Sequence, residues 1–289
     1  MADRKTIRPV TLRRVVEVCS LASQSKFLNI KNVSKKLNTT PSRAKEVLLE
    51  VERMDLLSHV GDFWIANSRT SEFLRYFESE DWEKIHKYFL KHYNFYSEFI
   101  RILQDYSEKE EGLSVNEIIE EAVRRKTHLN RTAAEVLSDW CERLGIVQRN
   151  LYTAKIYFLR DEKPSLDDFF SILLKIYRKL SISSWRREVF VEIPLIREHM
   201  CEQLKISRKT FDKTLKQVYL NNIGKIELSG APITTLAKKS PLSEKRIKLV
   251  GKKAIMSTQS RLQREREGIT INKKTYYYLA MHKRKSTPR

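Results

Sequence analysis

Asp167 and Asp168, with Glu188 and Glu192, are the carboxylates of this sequence whose grouping suggests a metal-dependent nuclease. Their placement argues against it. Asp167 and Asp168 fall at the start of an apolar helical pattern, where acid is favoured by the helix dipole. His199-Met200-Cys201 offers two metal-ligating side chains but no second pair at finger-like spacing. No Gly-rich phosphate loop and no G-x-S-x-G turn is present. The expectation is a protein that is not an enzyme and needs no cofactor or metal. The patterned chemistry is cationic. In residues 207–222, SRKTFDKTLKQVYLNN, helical pitch puts Phe211, Leu215 and Val218 on one stripe and Lys209, Lys213 and Lys216 on the opposite one. Ser207 is a good N-cap. Arg208 and Lys209 then stand in the first turn, where cations oppose the dipole, so they are not expected to be there for helix stability. A short capped helix with a basic first turn and outer face suits the major groove of DNA. The bland reading is a solvated surface helix kept soluble by its lysines.

The elements that must position this helix follow from periodicity. Residues 166–180 read as an apolar helix with Phe169, Phe170, Leu173, Leu174 and Tyr177. Residues 189–193 read as a strand, and Pro194 opens a helix to 204. Ile206-Ser207 is the turn into the lysine helix. Residues 225–228 and 269–281 read as the two strands of a wing, with Lys273 and Lys274 in the second. Between them runs an insertion, 229–268, carrying Lys238, Lys239, Lys245, Arg246, Lys248, Lys252, Lys253, Arg261, Arg264 and Arg266. A loop of that length in a compact domain is either functional or disordered; residues 256–267 are a candidate helix within it. The tail HKRKSTPR is expected to be disordered.

Earlier in the chain, residues 11–23 carry Leu12, Val15, Val16 and Cys19 at helical spacing. A short extended patch follows at 27–30, then a short helix to 37. Thr40 caps a third helix with Pro41 at its first position. Residues 56–66 read as two strands about Gly61-Asp62. In that order of elements, residues 10–66 resemble a winged helix-turn-helix domain. The order returns after a connector, 70–107, which reads as two helices with many aromatic residues, taken as inter-domain core more than as a base-stacking groove. Shifted by 90 positions, Thr40, Ala44, Val47, Val51, Met54, Leu56 and Leu57 fall on Asn130, Ala134, Leu137, Cys141, Leu144, Ile146 and Val147, an internal repeat at domain length. The fold expected is mainly α with small β wings (α+β): three tandem winged-helix domains at 1–69, 109–162 and 163–282, an aromatic connector at 70–108, and a basic tail at 283–289.

Charge assigns roles to these parts. The chain has 289 residues and a formal charge of +20. Residues 1–80 carry +4, 81–160 zero, 161–224 +3 and 225–289 +13. Such an excess speaks of partners, with nucleic acid the commonest. On the first candidate recognition helix, Arg43, Glu46, Glu50 and Arg53 are expected outward and cancel, leaving a weaker contact through Arg43 and Lys45. On the second, Arg131, Glu135, Asp139, Glu142 and Arg143 give a net acidic face that phosphates would repel. No apolar run approaches the roughly 20 residues that span a bilayer, and MADRKTIRPVTLRR contains no apolar leader core. Cys19, Cys141 and Cys201 each sit in an apolar stripe and read as reduced core residues. The expected partner is double-stranded DNA, held chiefly by phosphate contacts of the third domain and its insertion, with no membrane contact and a cytoplasmic place on nucleoid or chromatin. The winged-helix resemblance implies two functional classes. One is a DNA reader with its third helix in the major groove; the other is a scaffold subunit of a larger DNA-processing or chromosome-organising complex. The middle region, 70–160, suits a protein partner or self-association.

Overall fold

The computed structural model describes residues 7–109, 111–183, 189–230 and 267–282. The chain is mainly helical with small antiparallel sheets. It divides into two compact units: residues 1–149 with 154–159, and residues 150–153 with 160–289. Among the described residues no helix is long and apolar enough to cross a membrane.

The first unit starts with three capped helices. α1 (Leu12–Gln24) begins behind Thr11, whose hydroxyl accepts the Arg14 amide. α2 (Ile30–Lys36) begins behind Asn29, and α3 (Pro41–Arg53) behind Thr40 with Pro41 in its first turn. Each cap satisfies an amide that the helix cannot bond internally. β1 (Leu57–Val60) and β2 (Phe63–Ala66) pair antiparallel. Gly61 turns the chain at φ +59°, a left-handed value that glycine adopts without strain. Leu28 bridges Trp64 as a third extended piece.

The connector holds three helices, not two: α4 (Ser68–Glu78), α5 (Trp82–His92) and α6 (Asn94–Asp105). The first break comes at Glu80, at φ +55°, with Asp81 accepting the Lys84 amide to start α5. The second comes at Tyr93, whose extended backbone separates α5 from α6. Two helices require one break; aromatic residues recur through the whole connector, so periodicity does not show the other. The connector rings form a core: Phe73, Phe89, Tyr93, Tyr96 and Phe99 are fully buried. α7 (Val115–Arg124) and α8 (Arg131–Leu144) follow, then the hairpin β3 (Val147–Arg149) and β4 (Ile156–Phe158). Leu113 contributes a single bridge to Ile156 rather than a strand. Asn130 caps α8, and the repeated positions of the two helices are buried alike, Ile146 being half-buried. Trp140 of α8 donates its indole N–H to the Val10 carbonyl at 3.2 Å, and its ring lies 5.4 Å from Phe89. The segments read as first domain, connector and second domain therefore share one hydrophobic core.

Glu50 corrects an expectation. It does not face solvent but is fully buried. The Tyr93 hydroxyl donates to it at 2.6 Å, the Arg8 amide at 3.1 Å, and the Arg8 and Arg53 guanidinium groups at 3.3 and 3.4 Å. Burial, then the nearby Glu50 charge, pushes the Tyr93 hydroxyl well above its ordinary pKa. All three cysteines are free and buried, and desolvation raises Cys19 to about 12.

The second unit comprises α9 (Leu166–Ser183), β5 (Val191–Glu192), α10 (Ile193–Leu204), α11 (Arg208–Asn221), β6 (Ile226–Ser229), β7 (Ile269–Ile271), β8 (Lys274–Tyr276) and β9 (Tyr278–Met281). Asp167 and Asp168 lie in the first turn of α9, where Ser165 accepts the Asp168 amide. The stretch expected as one strand, 269–281, is three. Asn272 and Lys273, at φ +49° and +66°, turn β7 back into β8, the left-handed pair that a tight hairpin needs. β9 then lies between β5 and β6. Of the insertion, all but Ser229, Gly230, Glu267 and Gly268 lies outside the described residues, as do the tail and nearly all of the candidate helix at 256–267.

If Glu50 anchors the first unit, Glu50→Ala removes the buried carboxylate shared by Arg8, Arg53 and the Tyr93 hydroxyl and should destabilise it by about 3 kcal/mol. Tyr93→Phe, which removes one hydrogen bond and keeps the ring, should cost about 1 kcal/mol. Urea denaturation of each variant measures both. Equal, near-zero effects would show Glu50 to be a replaceable surface acid.

Candidate nucleic-acid interface

α11 is built from its cap inward. The Ser207 hydroxyl accepts the Thr210 amide at 3.1 Å. Phe211, Thr214, Leu215 and Val218 are buried, and Phe211 packs on Phe169 of α9 with ring centroids 5.5 Å apart. Thr214, not assigned to either stripe from the sequence, turns its hydroxyl back to the Thr210 carbonyl. With those four positions inward, Lys209, Lys213, Lys216 and Gln217 are exposed. None of the three lysines forms an ion pair with a described residue.

Arg208 belongs to a different group. Its Nε and Nη2 donate to the Glu198 carboxylate of α10 at 2.6 and 2.7 Å, the two-pronged geometry of a strong arginine–carboxylate pair. Glu198 is 1% exposed and also accepts the Leu151 amide at 2.9 Å. Arg208, expected to face a nucleic acid, is thus engaged within the fold: the first-turn position that opposes the dipole is offset by a buried counter-charge. One helical turn along α11, Asp212 accepts from Arg197 Nε at 2.8 Å. Loss of solvent raises the Asp212 carboxyl above the ordinary carboxylate value, and the Arg197 charge opposes that rise. Arg197 and Glu198 are adjacent on α10, and Arg208 and Asp212 are four apart on α11. Two opposite charges on each helix thus neutralise the two on the other.

Arg197 reaches further. Its Nη1 donates to the Glu267 carbonyl at 2.9 Å and its Nη2 to the Gly268 carbonyl at 3.2 Å. A Cβ at Gly268 would overlap the Tyr276 carbonyl oxygen, so only glycine fits there. One guanidinium therefore ties α11 to the base of the β7–β8 hairpin, whose turn exposes Lys273 and Lys274. Lys225, exposed before β6, lies 6.0 Å from the centroid of the Phe170 ring. Arg197, Glu198 and Asp212 form a group outside the candidate residues named from the sequence. The signal was present as an Arg-Glu dipeptide opposite an Arg and an Asp at helical spacing.

The other predicted residues divide three ways. Arg43 pairs with Glu46 at 2.8 Å and also donates to the Pro9 carbonyl; Lys45 is half-buried. On α8, Arg131 pairs with Glu135 and Arg143 with Asp139, each at 3.1 Å, and Arg149 with Glu142 at 3.3 Å. Lys238, Lys239, Lys245, Arg246, Lys248, Lys252, Lys253, Arg261 and Arg264 lie outside the described residues, as does Glu188 of the carboxylate grouping. Among the described residues no group of three or more His, Cys, Asp or Glu side chains is arranged to hold a metal ion. No family model and no curated protein matches the chain.

Arg208 and Lys209 are neighbours with opposite destinies, which a pair of single substitutions separates. Arg208→Ala leaves Glu198 buried without its counter-charge and should destabilise the second unit by about 3 kcal/mol or more. Lys209→Ala, on the exposed face, should stay within about 0.5 kcal/mol of the parent. Chemical denaturation reads both, and equal values would mean that the inward–outward division of charge on α11 is wrong.

Proposed function

We propose that this chain is a non-enzymatic DNA-binding protein of tandem winged-helix units, whose principal contact is made by the exposed lysine face of α11. The observation that carries the reading is the separation of charge on that helix. Arg208 and Asp212 are consumed by α10, while Lys209, Lys213 and Lys216 share the outer face with no acidic partner among the described residues. Lysine is a point charge suited to phosphate oxygens rather than to base edges. Double-stranded DNA is therefore held mainly through its backbone, with Lys273 and Lys274 on the hairpin as further contacts. The insertion contributes cations to the same polyanion. Arg43 is already engaged by Glu46, so Lys45 is the remaining candidate on α3.

A second reading, that part of the chain docks another protein, has its own support. The outward charges of α8 are neutralised pairwise along the helix, so that face offers neither a positive field nor free cations. It is suited to a partner protein within a larger DNA-processing assembly.

Replacing Lys209, Lys213 and Lys216 together with Glu tests the main reading. Each lost phosphate contact lowers the slope of log affinity against log salt by roughly 0.9. The triple variant should therefore bind duplex DNA with a slope flatter by roughly 2 to 3. The same change at Lys84, Lys87 and Lys91 has equal net charge; Lys84 and Lys87 already hold Asp81 and Glu83. That control should leave binding nearly intact. Equal loss in the two would reduce the α11 lysines to a solvated surface. Incubated with Mg²⁺ or Mn²⁺, the protein should cleave neither duplex nor single-stranded DNA and should not hydrolyse ATP. Turnover that one Asp or Glu substitution abolishes would overturn the non-enzymatic reading.

A further inference from the structure

Folding of the first unit leaves one group of side chains with no internal role. Phe27 is 48% exposed, Val60 52% and Phe63 42%. The backbone bonds between Leu28 and Trp64, at 2.8 and 2.9 Å, bring the Phe27 ring beside Phe63. The two ring centroids are 5.6 Å apart, with planes tilted by 54°. The Lys26 ammonium lies 5.7 Å from the Phe27 centroid. Three residues beyond Phe27, α2 begins, and it exposes Lys31, Lys35 and Lys36. None of these four lysines pairs with a described carboxylate. Lys31 and Lys35 are four apart, so they lie on one face and repel each other, and Lys31 stands in the first turn, against the dipole. The helix is not served by either. The adjacent acid is Asp62, at the hairpin turn.

Exposed ring faces and unpaired cations together select a ligand that carries planar groups on an anionic backbone. A duplex offers the backbone but hides the base faces in its stack. A protein partner of ordinary affinity needs roughly 800 Å² on each side, which three exposed apolar side chains do not supply. An unpaired strand offers both features: successive phosphates for the lysines, and bases that stack on aromatic rings whatever their identity. We propose that the wing of the first unit is a single-strand nucleic-acid site, in which an unpaired base stacks on one of the Phe27 and Phe63 rings and meets the edge of the other, and Lys26, Lys31 and Lys35 hold the flanking phosphates. The site is separate from the lysine face of α11 and takes a different form of nucleic acid.

The test uses the full chain with labelled oligothymidylate and oligouridylate of about 15 nucleotides and with a blunt duplex. Phe27→Leu/Phe63→Leu keeps apolar bulk and removes the ring faces. It should weaken single-strand binding about tenfold, the size of a lost stacking contact, with the salt slope and the duplex affinity unchanged. Phe27→Tyr/Phe63→Tyr should retain parental binding. Lys31→Glu/Lys35→Glu should instead flatten the single-strand salt slope, by about 0.7 for each contact. Unchanged single-strand binding by the leucine variant would overturn the proposal. So would equal loss on the duplex, or a fall in oligomeric state by sedimentation, which would make the wing a contact between copies. If no duplex binds while the leucine variant still loses the single strand, the α11 reading fails and this one stands.

Discussion

Two adjacent side chains of α10, Arg197 and Glu198, carry opposite charges into the seam with α11, and neither can remain there unpaired. Consecutive helical residues diverge by about 100°, so a single partner cannot serve both. Arg208 and Asp212, one turn apart on one face of α11, supply the two counter-charges. That match is met over a narrow range of crossing and sliding between the helices. The quartet therefore sets the register of α11 as well as neutralising it. Replacing such a group by apolar residues is often neutral in energy. What it contributes here is geometry: it decides which face of α11 turns outward.

The same guanidinium extends that control to the hairpin. By holding the Glu267 and Gly268 carbonyls, Arg197 fixes where the chain re-enters the fold after the insertion. The lysines at the hairpin turn and those on α11 are thus borne by segments that meet at one buried cation. In the first unit Glu50 has the comparable place, gathering Arg8, Arg53 and Tyr93 around one carboxylate. In both units the cost of burying a charge is offset by several donors, and the cations left over stand on the surface.

Helices α3, α8 and α11 begin alike and differ outside. Each begins behind a Thr, Asn or Ser cap and buries one stripe at helical spacing, which includes Trp140 in α8 and Phe211 in α11. Outside, α3 joins Arg43 to Glu46, α8 pairs its charges along its length, and α11 shows three lysines. The exposed rings of the first wing add to that picture: the unit whose α3 face is neutralised carries its unpaired cations on α2 and beside Phe27.

Much of this was legible in the sequence because it depends on local chemistry. Caps at Thr40, Asn130 and Ser207, the turn at Gly61, the apolar stripes, the three inert cysteines and the exposed α11 lysines all follow from spacing and side-chain type within a few residues. The matches at 90-residue spacing likewise showed that α3 and α8 bury equivalent positions. What the sequence could not determine was which polar residues face inward. Glu50 and Arg208 both occupy positions that a helical projection gives to solvent or to a ligand; Glu50 is buried and Arg208 half-buried because a partner stands across from each. Glu50 meets Tyr93, 43 positions away, and Arg208 meets Glu198 on the preceding helix. The third connector helix and the division of residues 269–281 were not legible for a related reason. Polar residues such as those at 78–81 and 272–274 read alike as a turn or as the solvent face of a continuing element. Only pairing between distant segments, β9 with both β5 and β6, decides that a strand must end and another begin.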